Sequence, residues 1–171
     1  MRLMPVALSA AIALGTMASA GHGQKPDDQI DARSAALVAE AQALHAGARY
    51  QDATDLLESA LAVDPRNRRA YIGLARVAQS QKLPGKAIKF YGEALTLEPN
   101  DVDALAGQGE AFVQRGAVER AKKNLERVRS LCKDQCPQAT TLAAAIAKGP
   151  PPEVLTAQRP DVAPPPATKA N

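Results

Sequence analysis

The sequence predicts an all-α protein: a short right-handed solenoid of three helix-turn-helix repeats followed by a C-terminal capping helix. Three observations carry that expectation. Ala53, Ala87 and Ala121 are evenly spaced along the chain, and Leu57, Tyr91 and Leu125, then Ala60, Ala94 and Val128, keep the same interval. Leu61-Ala62-Val63-Asp64-Pro65 returns at that interval as Leu95-Thr96-Leu97-Glu98-Pro99. A fixed period of about 34 residues marks stacked units of paired helices. Between the marked positions, apolar residues fall at i, i+3, i+4 and i+7, the spacing that gives a helix one buried face. Stacked helical pairs build a groove rather than a catalytic pocket.

The chain opens on a segment that reads as a signal peptide, residues 1–20. Arg2 supplies the positive charge, Val6 to Leu14 an Ala-rich apolar core, and Ala18-Ser19-Ala20 the small-residue cleavage pattern. The apolar run is too short and Ala-rich to span a bilayer well. No Cys precedes Cys132, so no thiol stands near the cut to carry a lipid. The expected mature protein is soluble, has no membrane span, and is periplasmic or secreted. Residues 21–33 form a flexible lead before the repeat domain, residues 34–148.

The repeats follow in order. The first runs from Ser34 to Asn67, with Leu37, Ala41 and Leu44 on its first helix, Ala53, Leu57 and Ala60 on its second, and Pro65 closing it. The second runs from Arg68 to Asp101, with Tyr71, Leu74, Ala75, Ala78, Ala87, Tyr91, Ala94 and Pro99 at the matching places. The third begins at Val102 and carries Leu105, Gly109, Phe112, Ala121, Leu125 and Val128. Small residues at Ala41, Ala75 and Gly109 let the two helices of each unit approach. Gly47, Pro84-Gly85 and Gly116 fall where each turn inside a repeat must be. Asn67 and Asp101 stand as N-caps. Asp64-Pro65 and Glu98-Pro99 end the preceding helices, because a residue before proline disfavours helical geometry.

These residue types at these offsets resemble the tetratricopeptide repeat, and the resemblance covers about 100 residues of the chain. It departs at Lys133, which stands where the repeat has proline, so the third unit should leave its second helix differently. Three repeats are about the minimum that buries a continuous core, and the last one needs a cover. Pro137 to Lys148 is the expected cap, with Ala139, Leu142, Ala143 and Ile146 on one face.

The resemblance implies that the concave surface is lined by the first helix of each repeat. Carried over position by position, it selects Ala35, Val38, Gln42 and His45, then Arg69, Ile72, Arg76 and Gln79, then Asp103, Ala106, Glu110 and Val113. The middle repeat is basic there and the third acidic, with Val38, Ile72 and Val113 as apolar contacts. Such a groove suits an extended or helical peptide. A subclass of the family grips a C-terminal carboxylate with Lys, Asn and Arg. The corresponding positions hold Val38, Gln42, Gly73, Asp103 and Gly107, so that clamp is absent.

Cys132 and Cys136 are the two cysteines. In an oxidising compartment a close, even pair reads as a disulfide, here one that would staple the cap to the third repeat. Two sharper readings stay open. Two thiols could hold soft Cu(I), which would make the protein a thiol or copper carrier, although no Met or His lies close in sequence. A redox pair would usually have two intervening residues, against three here.

Catalytic signatures are missing. The chain has two histidines, His22 in the lead and His45 on the first helix, and no HExxH, nucleophile elbow, P-loop or dinucleotide fingerprint. No cofactor is expected. Without Arg2, 20 basic side chains face 18 acidic ones, too even a balance for a nucleic-acid binder. There is no Trp, so stacking platforms for single strands are scarce. Residues 149–171 carry seven prolines and no PxxP spacing, and are expected to form a disordered, polyproline-like tail. The expectation is a noncatalytic adaptor for an envelope or assembly protein, with self-association also open.

Overall fold

The computed structural model describes residues 29–132 and 136–157. Among them are eight helices and no strand: α1 (Ala32–Ala46), α2 (Tyr50–Val63), α3 (Arg68–Ser80), α4 (Pro84–Leu97), α5 (Val102–Gln114), α6 (Val118–Leu131), α7 (Pro137–Lys148) and α8 (Pro152–Ala157). The helices pack as pairs, α1 with α2, α3 with α4 and α5 with α6, and each pair packs on the next. The helix α7 closes the stack against α5 and α6.

The periodic residues form the core. Ala53, Ala60, Ala87, Ala94, Ala121 and Val128 are fully buried, with Leu57, Tyr91 and Leu125 beside them. Alanine at these sites lets the paired backbones come close. The large side chains then reach across to the next repeat, where glycine receives them. A Cβ at Gly73 would stand 2.6 Å from Leu57 Cδ2, and one at Gly107, the equivalent place in the next repeat, would collide with the Tyr91 ring.

Gly109 departs from its expected role. Ala41 and Ala75 are buried as small contact residues should be, but the space above Gly109 is taken by Leu142 of the cap. Leu142 is fully buried, and Ala139, Ala143 and Ile146 pack around it against the last repeat. Burying one such leucine contributes about 2 kcal/mol.

Gly47 and Gly116 fall in the turns inside the repeats as expected, whereas Pro84 and Gly85 belong to the first turn of α4. The left-handed residues are Ala48 (φ 58°), Lys82 (φ 57°) and Gly116 (φ 82°), one at the same place in each repeat. Gly47 has φ −81° and serves as the C-cap of α1. Pro84 opens α4 at its first turn, where its missing N–H costs nothing. The turn geometry is therefore set by the helices on either side, and two L-residues accept a strained conformation to satisfy it.

The links between repeats follow one plan. Asp64 and Glu98 leave α2 and α4 with extended backbone. Their carbonyls then accept hydrogen bonds from the N–H groups of Asn67 and Asp101, at 3.0 and 3.1 Å. Asp101 caps α5 through its carboxylate, which accepts from Ala104 N–H. Asn67 occupies the N-cap of α3 but makes no cap bond. Its buried amide donates to Ser34 Oγ at 2.8 Å, and Ser34 donates to the Ala60 carbonyl at 2.7 Å. At the third link Cys132 also leaves its helix extended, and the Cys132 and Cys136 sulfurs stand at disulfide distance across the gap, with Cα atoms 5.7 Å apart. Lys133 lies outside the described residues, as do the signal segment and lead up to Asp28 and the tail from Gln158.

One expected disordered segment is helical. Pro152–Ala157 forms the six-residue α8. Pro152 occupies its first turn and the segment has no other proline, so the helix is compatible with the Pro-rich context.

Candidate functional site

The first helices α1, α3 and α5 lie side by side and contact one another directly. Residues seven apart on a helix share a face, so Gln42, Arg76 and Glu110 form one row across the three helices, and Ala35, Arg69 and Asp103 another. The two rows hold a neutral, a basic and an acidic member in the same order.

Four shallow cavities trace this surface. The first, about 120 Å³, is lined by Ile30, Ala35, Val38, Ala39, Gln42, Asn67 and Arg69. The second, about 230 Å³, includes Gln42, His45, Gly73 and Arg76. The third, about 300 Å³ and the most open, is lined by His45, Arg76, Gln79, Ser80, Glu110 and Gln114. The fourth, about 270 Å³, lies between α3, α4, α5 and α7 and includes Arg76, Tyr91, Asp103, Glu110, Gln138 and Thr141. Arg76 borders three of the four, so they join into one groove around it.

The structure thus brings together Gln42, His45, Arg69, Arg76, Gln79, Asp103 and Glu110. It does not bring the apolar contacts with them. Ile72 and Val113 are 6% and 4% exposed and belong to the core. Val38 is also buried but still reaches the wall of the first cavity. The cause is helix phase: Ile72 and Val113 face the helices packed behind them, which leaves the groove floor polar.

Polar contacts order that floor. His45 Nε2 and Ser80 Oγ lie 2.8 Å apart and tie α1 to α3. The buried Tyr91 hydroxyl donates to Gln79 Oε1 at 2.7 Å. Burial pushes the Tyr91 phenol well above its ordinary value, with Arg76 opposing. Burial also raises the Glu110 carboxyl above its ordinary value, and the Arg76 charge draws it partly back. Gln138 Nε2 of the cap donates to Asp103 Oδ1 at 2.9 Å.

Tyr91, Ser80, Gln138, Thr141 and Ile30 are groove residues that first-helix reasoning missed. Tyr91 reaches the groove from a second helix, because Gly107 leaves room for its ring. Gln138 and Thr141 lie on the cap, whose docking gives the third repeat the neighbour a fourth repeat would provide.

Cys132 and Cys136 pack against Leu105, Ala106 and Val128, of which Ala106 lines the fourth cavity. Among the described residues, no group of three or more His, Cys, Asp or Glu side chains is placed to hold a metal ion. Among the same residues, no helix is long and apolar enough to cross a membrane.

Comparison with known proteins agrees with this geometry. Residues 43–90 match the family model described as tetratricopeptide repeat. No curated protein matches the sequence. Among solved structures, the chain is similar to the Sgt2 tetratricopeptide-repeat domain from Aspergillus fumigatus (TM-score 0.64, 21% identity, covering 82% of this chain and 90% of that one). It is also similar to the first such domain of Spaghetti (RPAP3) bound to an HSP90 peptide (TM-score 0.62, 22% identity, covering 68% and 91%). A third similar structure is the Yersinia enterocolitica type III secretion chaperone SycD in complex with a peptide of the translocator YopD (TM-score 0.58, 18% identity, covering 67% and 86%).

Proposed function

We propose that this chain, which carries the tetratricopeptide-repeat fold, is a noncatalytic adaptor that holds a peptide or helix of a protein partner in the groove of its first helices. The observation that carries this reading is the continuous groove around Arg76, joined from adjoining cavities and walled by polar side chains of three repeats and the cap. RPAP3 and SycD, similar in fold, are each seen with a peptide bound. The signal-like residues 1–20 support a setting in the bacterial envelope, periplasmic or secreted, with pilus, secretion or envelope assembly as the candidate settings.

The test is affinity capture from envelope extract with residues 21–171, beside the double variant Arg69→Glu/Arg76→Glu. A discrete partner should be retained by the native chain and weakened about tenfold, near 1.4 kcal/mol, in the variant, whose circular dichroism should be unchanged. A partner indifferent to both charges would move the binding surface off the groove. Cell fractionation of the full chain, with and without residues 1–20, tests the location. Cytoplasmic retention of both forms would overturn it.

A further inference from the structure

The groove carries its charges in a fixed register. Arg69 and Arg76 lie on α3, while Asp103 and Glu110 hold the equivalent places on α5, one repeat later. Along either helix the two like charges are seven residues apart, which is about 10 Å at the helical rise. Across the groove, helices packed side by side sit about 8–10 Å apart. A peptide running in either direction therefore meets successive charges at about the same interval. In extended backbone that interval is about three residues.

Glu110 is presented differently from the other three charges, which are all exposed. Arg69 and Arg76 are exposed on the groove surface. Glu110 is half-buried at the wall of the cavity between α5 and α7, and Asp103 stands at the same cavity, with its carboxylate held by Gln138. Arg76 lines the same cavity, with Gln79, Thr141 and the Tyr91 hydroxyl as further polar groups, so two carboxylates there face one cation. That cavity, about 270 Å³, has room for a long side chain. A second cation entering it would balance the carboxylate that Arg76 leaves unmatched.

We propose that the groove selects a peptide bearing an acidic residue and, about three residues away, a lysine or arginine. The acid meets Arg69, and the basic side chain enters the cavity between α5 and α7. The proposal rests on the adaptor reading and names its specificity. The cap is part of the site, since α7 supplies one wall of the cation cavity.

The probe is an array of short peptides on a serine–alanine background, each with one glutamate and one lysine at systematically varied separation, beside uncharged glutamine controls. Residues 21–171 are tested as the native chain, as Asp103→Asn/Glu110→Gln, and as Arg69→Gln/Arg76→Gln, each checked for fold by circular dichroism. We expect the strongest binding at a separation of about three residues. We expect each double variant to lose it by about tenfold, the α5 variant remaining sensitive to glutamate alone and the α3 variant to lysine alone. Binding that ignores separation, or no array binding while the groove variants still lose a captured partner, overturns the charge register and leaves the adaptor reading standing. Capture indifferent to both double variants overturns the adaptor reading itself.

Discussion

Leu142 of the capping helix lies directly over Gly109 of α5, where a Cβ would stand 2.7 Å from Leu142 Cδ2. This contact ends the solenoid and also shapes the groove, because the helix that Leu142 anchors carries Gln138 and Thr141 to the cation cavity. Leu142→Ala should cost about 2–5 kcal/mol, the range for truncating a buried leucine, read as a lower urea midpoint. Deleting residues 137–148 should cost at least as much. An unchanged midpoint in both would show that the cap is not holding the last repeat.

The left-handed turn residues give a second test. Ala48 and Lys82 hold positive φ where their counterpart Gly116 does so without penalty. Ala48→Gly and Lys82→Gly should each stabilise the domain by about 1 kcal/mol, because an L-residue is disfavoured by that much in this region. Gly116→Ala should destabilise by a similar amount. Urea unfolding at constant m-value separates these outcomes. A loss of stability in either glycine variant would contradict the assigned backbone.

Ser34 and Asn67 tie the first repeat to the second through a buried chain of two hydrogen bonds. Ser34→Ala would leave the buried Asn67 amide without its acceptor, while the Ala60 carbonyl keeps the Asp64 N–H, costing about 1–3 kcal/mol. The double variant Ser34→Ala/Asn67→Leu should recover part of that loss, since the orphaned donor is gone. A double-mutant cycle showing no coupling would mean that water satisfies the Asn67 amide.

Two carboxyls should act on stability with opposite pH dependence. Burial pushes the Asp64 carboxyl up, but hydrogen bonds from the Arg66 and Asp31 N–H groups and the Arg66 charge outweigh it and hold the carboxyl below 3.8. Its contribution is present above the ordinary carboxylate value and is lost as pH falls through the lowered one. Glu110 is raised by burial, so its contribution is present below its ordinary value and is lost as pH rises through the raised one. Asp64→Asn should thus destabilise more near pH 7 than at about pH 2.5, below the ordinary carboxylate values. Glu110→Gln should stabilise near pH 7 and have little effect at low pH. The reverse ordering in urea midpoints would refute these environments.

The cysteine pair should couple redox state to the groove. A bridge closing so small a loop contributes about 2 kcal/mol in the chain-entropy model, and here it precedes the helix that walls the cation cavity. Reduction, or Cys132→Ser/Cys136→Ser, should lower the melting temperature by several degrees and weaken any ligand that uses Gln138. Two free thiols in Ellman titration of the exported, unreduced protein would remove the staple.

Much of this fold is legible because a repeat states its pattern several times. Ala53, Ala87 and Ala121 announce the second helices, and proline after Asp64 and Glu98 announces where they stop. The cap is legible from the apolar spacing of Ala139, Leu142, Ala143 and Ile146. Local chemistry was a poorer guide where tertiary contacts compete with it. Gly47 and Gly85 suggested the turn geometry, but helix packing placed the strained residues at Ala48 and Lys82. Asn67 looked like a helix cap, and a buried partner, Ser34, took its amide instead.

The groove divides the same way. The charged and polar members, from Gln42 to Glu110, follow from repeat position alone, because exposed residues of one helix face stay in register from each repeat to the next. Only the packed structure decided that Ile72 and Val113 turn inward, that Tyr91 reaches the groove over Gly107, and that the cap supplies Gln138 and Thr141. Helical phase and neighbouring side-chain volume set these outcomes, and both arise between segments distant in sequence. The sequence by itself determined the repeat, its helices and the signs of its groove charges. Tertiary packing determined which of those side chains share a cavity and how far each is removed from water.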